Sequence, residues 1–202
     1  MTGERECFDV VVLTMPVPQI LGLTGQIKEI IQSNSSLLEQ LNSVEYSSRF
    51  ALGLFYNKDS KIALSDGSSA QYVTNNPAIR FIAIDNMKRR RGSYDSCPSV
   101  ILHTSVPFGK ANLEKSPGAM QHILLSKLNE MYPEWPEPEF VKCHKWRYSQ
   151  VSSAFPGLPG AVKIGEGLIA GGDGFTHSNM DGCIESAQAV VEQVLQHVSA
   201  SE

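Results

Sequence analysis

The chain has 202 residues, a length that suits one large domain or two small ones. Seventeen Lys and Arg against 21 Asp and Glu leave a formal charge of −4, which argues against a general nucleic-acid binder and leaves no polybasic handle for an anionic membrane. With 42% hydrophobic and 19% charged residues, 16 Gly and 11 Pro, the composition is that of a folded, turn-rich chain rather than a disordered one or a helical bundle.

Residues 8–14, Phe-Asp-Val-Val-Val-Leu-Thr, form a near-continuous apolar and β-branched run, the pattern of a strand buried on both faces of a parallel sheet. Such a strand needs neighbours, and the comparable candidate, Leu168 to Ala170, lies at the far end of the chain. A buried strand so close to a terminus predicts that part of its sheet lies outside the sequence. After the turn Met15-Pro16-Val17-Pro18, the spacing of Ile20, Ile27, Ile30 and Ile31 predicts one helical segment. Leu37, Leu38 and Leu41 predict a second, with Ser35 or Ser36 as its cap.

From Tyr46 the period falls to two, and strands are predicted over 49–56, 70–74, 79–85 and 100–106. The connections, Asp66-Gly67, Asn75-Asn76-Pro77 and Lys88 to Gly92, are short enough for antiparallel pairing, and the basic run Lys88–Arg91 reads as an exposed hairpin tip. A helix is predicted over 117–131, with Ser116 as N-cap, Pro117 in the first helical position and Ile123, Leu124, Leu128 and Met131 on its apolar face. Trp135-Pro136-Glu137-Pro138 ends it, a strand follows over 140–147, and Glu130, Glu134, Glu137 and Glu139 belong to a solvated surface. The strands and helices together read as an α+β layer.

The last forty residues contain a strand, Leu168 to Ala170, the turn Gly171-Gly172-Asp173-Gly174, and a helix with Ile184, Ala187, Val191, Val194, Leu195 and Val198 on one stripe. Ser178 or Asn179 caps that helix, and Asp181 suits its positive end. Strand, glycine turn and helix N-terminus form a site for a negative or electron-rich group, in which Asp173 can accept hydrogen bonds from sugar-like hydroxyls. The same residues also suit an ordinary tight β–α turn. Cys7, Cys97, Cys143 and Cys183 are widely spaced with no CxxC pair, so reduced thiols are expected, and the five histidines show no metal-ligand spacing. No run reaches the ~20 apolar residues of a membrane span. The N-terminus lacks the pattern of a signal peptide, so a cytoplasmic location is expected.

Four segments carry a resemblance: Phe8 to Pro16, Tyr46 to Tyr56, Lys145-Trp146-Arg147-Tyr148-Ser149-Gln150-Val151, and Gly171 to Ser186. In these, and in their order along the chain, the sequence resembles the renalase family of the flavoprotein amine-oxidase superfamily. The resemblance implies an α/β and α+β architecture: a Rossmann-like FAD domain with an inserted substrate domain of antiparallel sheet and helices. Residues 1–16 would be a residual strand and loop of the FAD domain, 17–155 the substrate domain, and 156–202 the C-terminal strand and helix of the FAD domain. The family's G-x-G-x-x-G turn for the FAD pyrophosphate does not occur. Gly165-Glu166-Gly167 lacks the third glycine and precedes a strand. The sequence therefore reads as the C-terminal portion of a renalase.

The activity implied is FAD-dependent oxidation of isomeric dihydro-NAD(P) to NAD(P)+, with O2 reduced to hydrogen peroxide. Two further readings stand beside it: an inactive truncated isoform that acts through a protein partner, and a monoamine (catecholamine) oxidase. Secretion, described for the family, is the alternative location. By the same resemblance Gly171, Gly172 and Asp173 would approach the ribityl and phosphate groups. Asn179, Asp181 and Gly182 would bring the helix N-terminus to the pyrimidine end of the flavin, favouring negative charge there. Thr14, Met15 and Pro16 would form the loop beside the cofactor. On the substrate side, Tyr72, His103 and Trp146 are assigned catalytic positions, and Asn76 and Arg147 bind substrate. Aromatic faces stack on a planar ring, and His or Asn can hydrogen-bond its carboxamide. The single strands and turns themselves leave Trp146 and His103 equally open as core residues.

Overall fold

A computed structural model describes residues 6–88 and 97–200; Arg89 to Arg91 of the expected hairpin tip lie outside the described residues. In chain order, the first elements are β1 (Val11–Leu13), α1 (Val17–Leu21), α2 (Gln26–Ser33) and α3 (Ser35–Asn42). There follow β2 (Glu45–Phe55), β3 (Ala70–Tyr72), β4 (Ile79–Ile84), α4 (Asp85–Lys88), β5 (Ser99–Thr104), α5 (Val106–Ala111) and α6 (Pro117–Met131). The chain closes with β6 (Phe140–Ser153), β7 (Ala161–Gly165), β8 (Leu168–Gly171), a 3-10 turn at Asp173–Phe175, and α7 (Met180–Ala200). Two compact units result: one comprises the described residues through Tyr46 and from Gln150 onward, the other Ser47–Ser149. The helices of residues 17–42 fall in the first unit.

The first unit holds a three-stranded sheet of order β1-β8-β7. β1 runs parallel to β8, with Val11 opposite Leu168 and Leu13 opposite Ala170, while β7 is antiparallel to β8. Leu13, Val17, Ile20, Leu41, Ala170 and Phe175 share its core. Helix α3 is capped by Asn34, not by Ser35 or Ser36: the Asn34 side chain accepts the Leu37 N–H at 3.0 Å. Asn34 is the residue with extended backbone, φ −110° and ψ 90°, and the two serines already lie inside the first turn.

One expectation for this unit is corrected. The strand expected over 8–14 shrinks to Val11–Leu13, and Val11 and Val12 are 39% and 36% exposed. Among the described residues β1 lies at the end of the strand order, with β8 as its neighbour. The apolar stripe of α7 faces largely outward, with Ile184, Val191, Leu195 and Val198 all exposed and Val194 half-buried. Small residues decide the packed face. A Cβ at Gly171 would stand 2.5 Å from Val190, and one at Gly160 2.7 Å from Ala189. Close approach of helix to sheet therefore selects the face of Gly182, Ser186, Ala189 and Val190, and Gln193 donates from α7 to the Ala161 carbonyl at 2.9 Å.

The second unit is built on a five-stranded sheet of order β3-β4-β5-β2-β6, in which β3–β4, β4–β5 and β5–β2 are antiparallel. Alternation divides its residues between two faces. Phe50, Leu52, Leu54, Ile82, Ile84 and Leu102 bury one face with Met120, Leu124 and Leu128 of α6. At ~1.5–3 kcal/mol per buried large apolar side chain, this layer dominates the stability of the unit. Ser116 caps α6 by accepting the Ala119 N–H at 3.2 Å. Trp135 closes the core edge: it stacks on Tyr132 at 4.3 Å and donates to the Ala63 carbonyl at 3.2 Å. The opposite face of the sheet carries Tyr72, His103 and Trp146. No helix among the described residues is long and apolar enough to cross a membrane.

Candidate functional site

In the first unit, the parallel register sets Leu13 beside Ala170, so Thr14–Pro16 and Gly171–Asp173 both leave the carboxyl ends of adjacent strands. Ligands of open α/β sheets bind outside such ends. Gly172 has φ +124°, a conformation that favours glycine, and a Cβ there would meet the Thr14 carbonyl at 3.4 Å. Its N–H donates to Ser186 Oγ at 2.6 Å, and that hydroxyl donates onward to the Gly160 carbonyl at 2.6 Å. Asp173 accepts from the Ser178 hydroxyl at 2.5 Å, and Ser178 accepts in turn from the Val151 N–H at 2.7 Å. Asn179 is the cap of α7, its Oδ1 accepting the Gly182 N–H at 2.7 Å. A Cβ at Gly182 would collide with the His177 carbonyl, so the helix start is packed directly on the preceding turn. Thr14 to Pro16, Gly171 to Asp173, and the Asn179–Gly182 helix start therefore belong to one unit, in which a Cβ at Gly172 would take up the space beside the Thr14 carbonyl.

Sequence reasoning missed Tyr46 in this region. Its hydroxyl accepts the Val17 N–H at 3.3 Å, and a Cβ at Gly174 would stand 2.6 Å from it. Burial holds the phenol above its usual range; the Val17 hydrogen bond opposes this and the charge of Asp173 adds to it. The only local signal was an aromatic residue at the start of a strand, which does not distinguish a turn-packing tyrosine from an edge one.

In the second unit, the register places Phe81 opposite His103 and His103 opposite Ala51, with Tyr72 opposite Phe81. Rings therefore run across the open face: Tyr72 to Phe81 at 5.2 Å and Phe81 to His103 at 5.9 Å. On β6, Trp146 is 48% exposed and makes an edge contact with His144 at 4.7 Å. His103, Lys142, His144 and Trp146 stand around a recess of about 390 Å³ whose floor is Ala51 and Gly53. A second recess, about 180 Å³, lies between Tyr72, His103, Arg49 and Arg80. His103 borders both. None of the residues lining either recess carries a carboxylate.

Asn76 and Arg147 are placed elsewhere. Asn76 Oδ1 accepts the Ala78 and Ile79 N–H groups at 2.9 and 3.0 Å, and its amide donates to Met131 Sδ at 3.2 Å, tying the β3–β4 turn to α6. Arg147, next to Trp146 on β6, forms a forked pair with Glu114 at 3.2 Å. Adjacent strand residues point to opposite faces. Arg49 and Arg80, by contrast, reach the recess without having been singled out. A register shift between Ile79 and Phe81 re-aims Arg80, whose guanidinium lies 5.6 Å over the Tyr72 ring and donates to the Val73 carbonyl at 3.3 Å. Among the described residues, no group of three or more His, Cys, Asp or Glu side chains could hold a metal ion.

The family model described as flavin containing amine oxidoreductase matches residues 2–195. The chain belongs to this family. It is a renalase homologue, 45% identical over 199 residues to renalase of Mus musculus, covering 98% of this chain and 57% of that one. Among solved structures, the flavin amine oxidoreductase chain is similar to a proposed protoporphyrinogen oxidase from Exiguobacterium sp. 255-15. That match has a TM-score of 0.68 and 14% identity, over 92% of this chain and 41% of the other. An oxidoreductase from Methanosarcina mazei gives a TM-score of 0.62 at 14% identity, over 93% and 43%. These distant likenesses carry the fold: helices with mixed parallel and antiparallel sheets in the general topology of the superfamily.

Proposed function

We propose that the chain is the larger part of a renalase-type flavin oxidase that converts isomeric dihydro-NAD(P) to NAD(P)+. The observation that carries this is the convergence of Thr14–Pro16, the Gly171-Gly172-Asp173 turn and the N-terminus of α7 at the carboxyl ends of two parallel strands. In this reading, the first unit holds the cofactor and the Ser47–Ser149 unit holds the substrate. Asp173, oriented by Ser178, would accept ribityl hydroxyls, and Gly171 and Gly172 would let the backbone approach the ribityl and phosphate groups. Thr14, Met15 and Pro16 would line the loop beside the cofactor. Asn179, Asp181 and Gly182 would set the positive end of α7 toward the pyrimidine edge. Bound FAD would supply the redox chemistry, a two-electron oxidation of the dihydronicotinamide with O2 as the final acceptor.

The residues of the open sheet face do the positioning. Trp146 and Tyr72 offer flat apolar faces to a planar ring, and His103, shared by both recesses, can hydrogen-bond its carboxamide. Lys142, Arg49 and Arg80 line the same recesses with no carboxylate beside them, which favours an anionic dinucleotide over a cationic catecholamine. Cys7, Cys97 and Cys183 are exposed free thiols, which suits a reducing, cytoplasmic setting.

The test is a titration of the purified full chain with FAD, followed by turnover of the misreduced dihydronicotinamide isomers. Binding raises the melting temperature and changes flavin fluorescence, and the loaded chain releases peroxide with the isomers and not with catecholamines. Unchanged fluorescence and melting at saturating FAD would refute the cofactor assignment.

A further inference from the structure

Arg49 sits on β2 two residues before Ala51, on the open face of the sheet, while Phe50 beside it is fully buried under α6. Its Nε is buried and has no hydrogen-bond partner, and no ion pair forms at Arg49 or Arg80 among the described residues. A buried unpaired guanidinium donor is costly to leave without an acceptor. Arg80 faces the same recess, its charge spread over the Tyr72 ring at 5.6 Å. Thr104, also on the wall, uses its hydroxyl to accept the Phe50 N–H at 2.9 Å. Two guanidiniums, one orphaned donor and no carboxylate therefore line a recess of about 180 Å³, several times the ~30 Å³ share of one water.

We propose that this recess is an oxyanion subsite, in which Arg49 and Arg80 take a phosphate group of the substrate nucleotide. Guanidinium matches phosphate geometry with paired N–H donors, and a planar fork loses little freedom on binding. The bulge at Ile79/Phe81 brings the second cation within reach of the first from a neighbouring strand. The ring platform on the same face places the planar end of a nucleotide next to its anionic end, with His103 between them. The identity of the nucleotide rests on the reading under Proposed function; the oxyanion class does not.

The experiment measures binding to the full chain of three probes: nicotinamide mononucleotide, nicotinamide riboside and inorganic pyrophosphate. Each is titrated into the wild type, Arg49→Met, Arg49→Lys and Arg80→Gln. The wild type is expected to bind the mononucleotide about tenfold or more tightly than the riboside, since one charge-assisted hydrogen bond is worth about that factor. Arg49→Met and Arg80→Gln should each reduce that preference with riboside binding unchanged, and Arg49→Lys should restore part of it. Melting temperatures identify a variant that has failed to fold, in which case exposed Arg80 carries the comparison. Pyrophosphate binding that depends on Arg49, with neither nicotinamide probe bound, would keep the oxyanion site and overturn the nicotinamide reading. A wild type without phosphate preference, a preference untouched in folded variants, or no binding of any probe would overturn the subsite.

Discussion

The Ser178 hydroxyl donates to the Asp173 carboxylate at 2.5 Å while accepting the Val151 N–H at 2.7 Å. One side chain thus orients the carboxylate of the glycine turn and satisfies the backbone of β6 at the same time. Ser178→Ala leaves the Val151 donor and the Asp173 acceptor without this partner, a loss of about 1–3 kcal/mol. The expected result is a lower urea midpoint together with weaker FAD binding. A lower midpoint with full FAD affinity would reduce Asp173 to a turn residue.

Glycines at helix starts should separate sharply. At Gly182 a Cβ would collide with the His177 carbonyl, whereas at Gly118 nothing lies within 4 Å. Gly182→Ala is expected to destabilise the chain by about 1–3 kcal/mol or more, because backbone must move. Gly118→Ala should be neutral or stabilising by up to about 1 kcal/mol. Thermal melts of the two variants side by side check this.

Trp146 is half exposed, and its packing partner is His144. Trp146→Ala should therefore leave the melting temperature within a few degrees of wild type while weakening nicotinamide-ring binding. A large fall in melting temperature would instead mark it as a core residue.

The outward stripe of α7 predicts tolerance of charge. Val191→Lys combined with Leu195→Lys, at positions 55% and 61% exposed, should change stability by about 0.5 kcal/mol or less per site. Light scattering at high concentration should fall as the apolar patch shrinks. Loss of folding in the double variant would contradict the outward placement.

Tyr56 is buried in the second unit, and burial pushes its phenol up from 10.0 to about 12. The unfolded chain ionises first, so the contribution of Tyr56 to stability is intact below pH 10 and falls as the pH rises from 10 through about 12. Denaturation across this range should show a shallower loss in Tyr56→Phe than in wild type. Phenolate absorbance in the folded protein should appear late.

Much of the second unit was legible because one face of its sheet is dry. Phe50, Leu52 and Leu54 alternate with Arg49, Ala51 and Gly53, and burial under α6 rewards that alternation at every step. Ser116 with Pro117 likewise announces α6 by chemistry that operates within four residues. The α7 stripe was legible as an apolar face, but helical periodicity does not say what covers it. Gly160 and Gly171, far away in the chain, admit the opposite side of the helix to closer contact with the sheet. The same limit applies to Arg147 and Asn76, whose polar groups are taken up by Glu114 and by the Ala78 and Ile79 N–H groups.

By itself, the sequence determined what depends on near neighbours: the strand alternation, the cap at Ser116, and the glycine turn Gly171–Gly172. It also carried the family, through segments distributed along the chain. Only the tertiary structure decided which side of α7 packs, that β1 pairs with β8, and that Arg49 and Arg80 meet at one recess beside Tyr72 and His103. Those outcomes depend on strand register and on close approach between residues distant in the chain, and local periodicity contains neither.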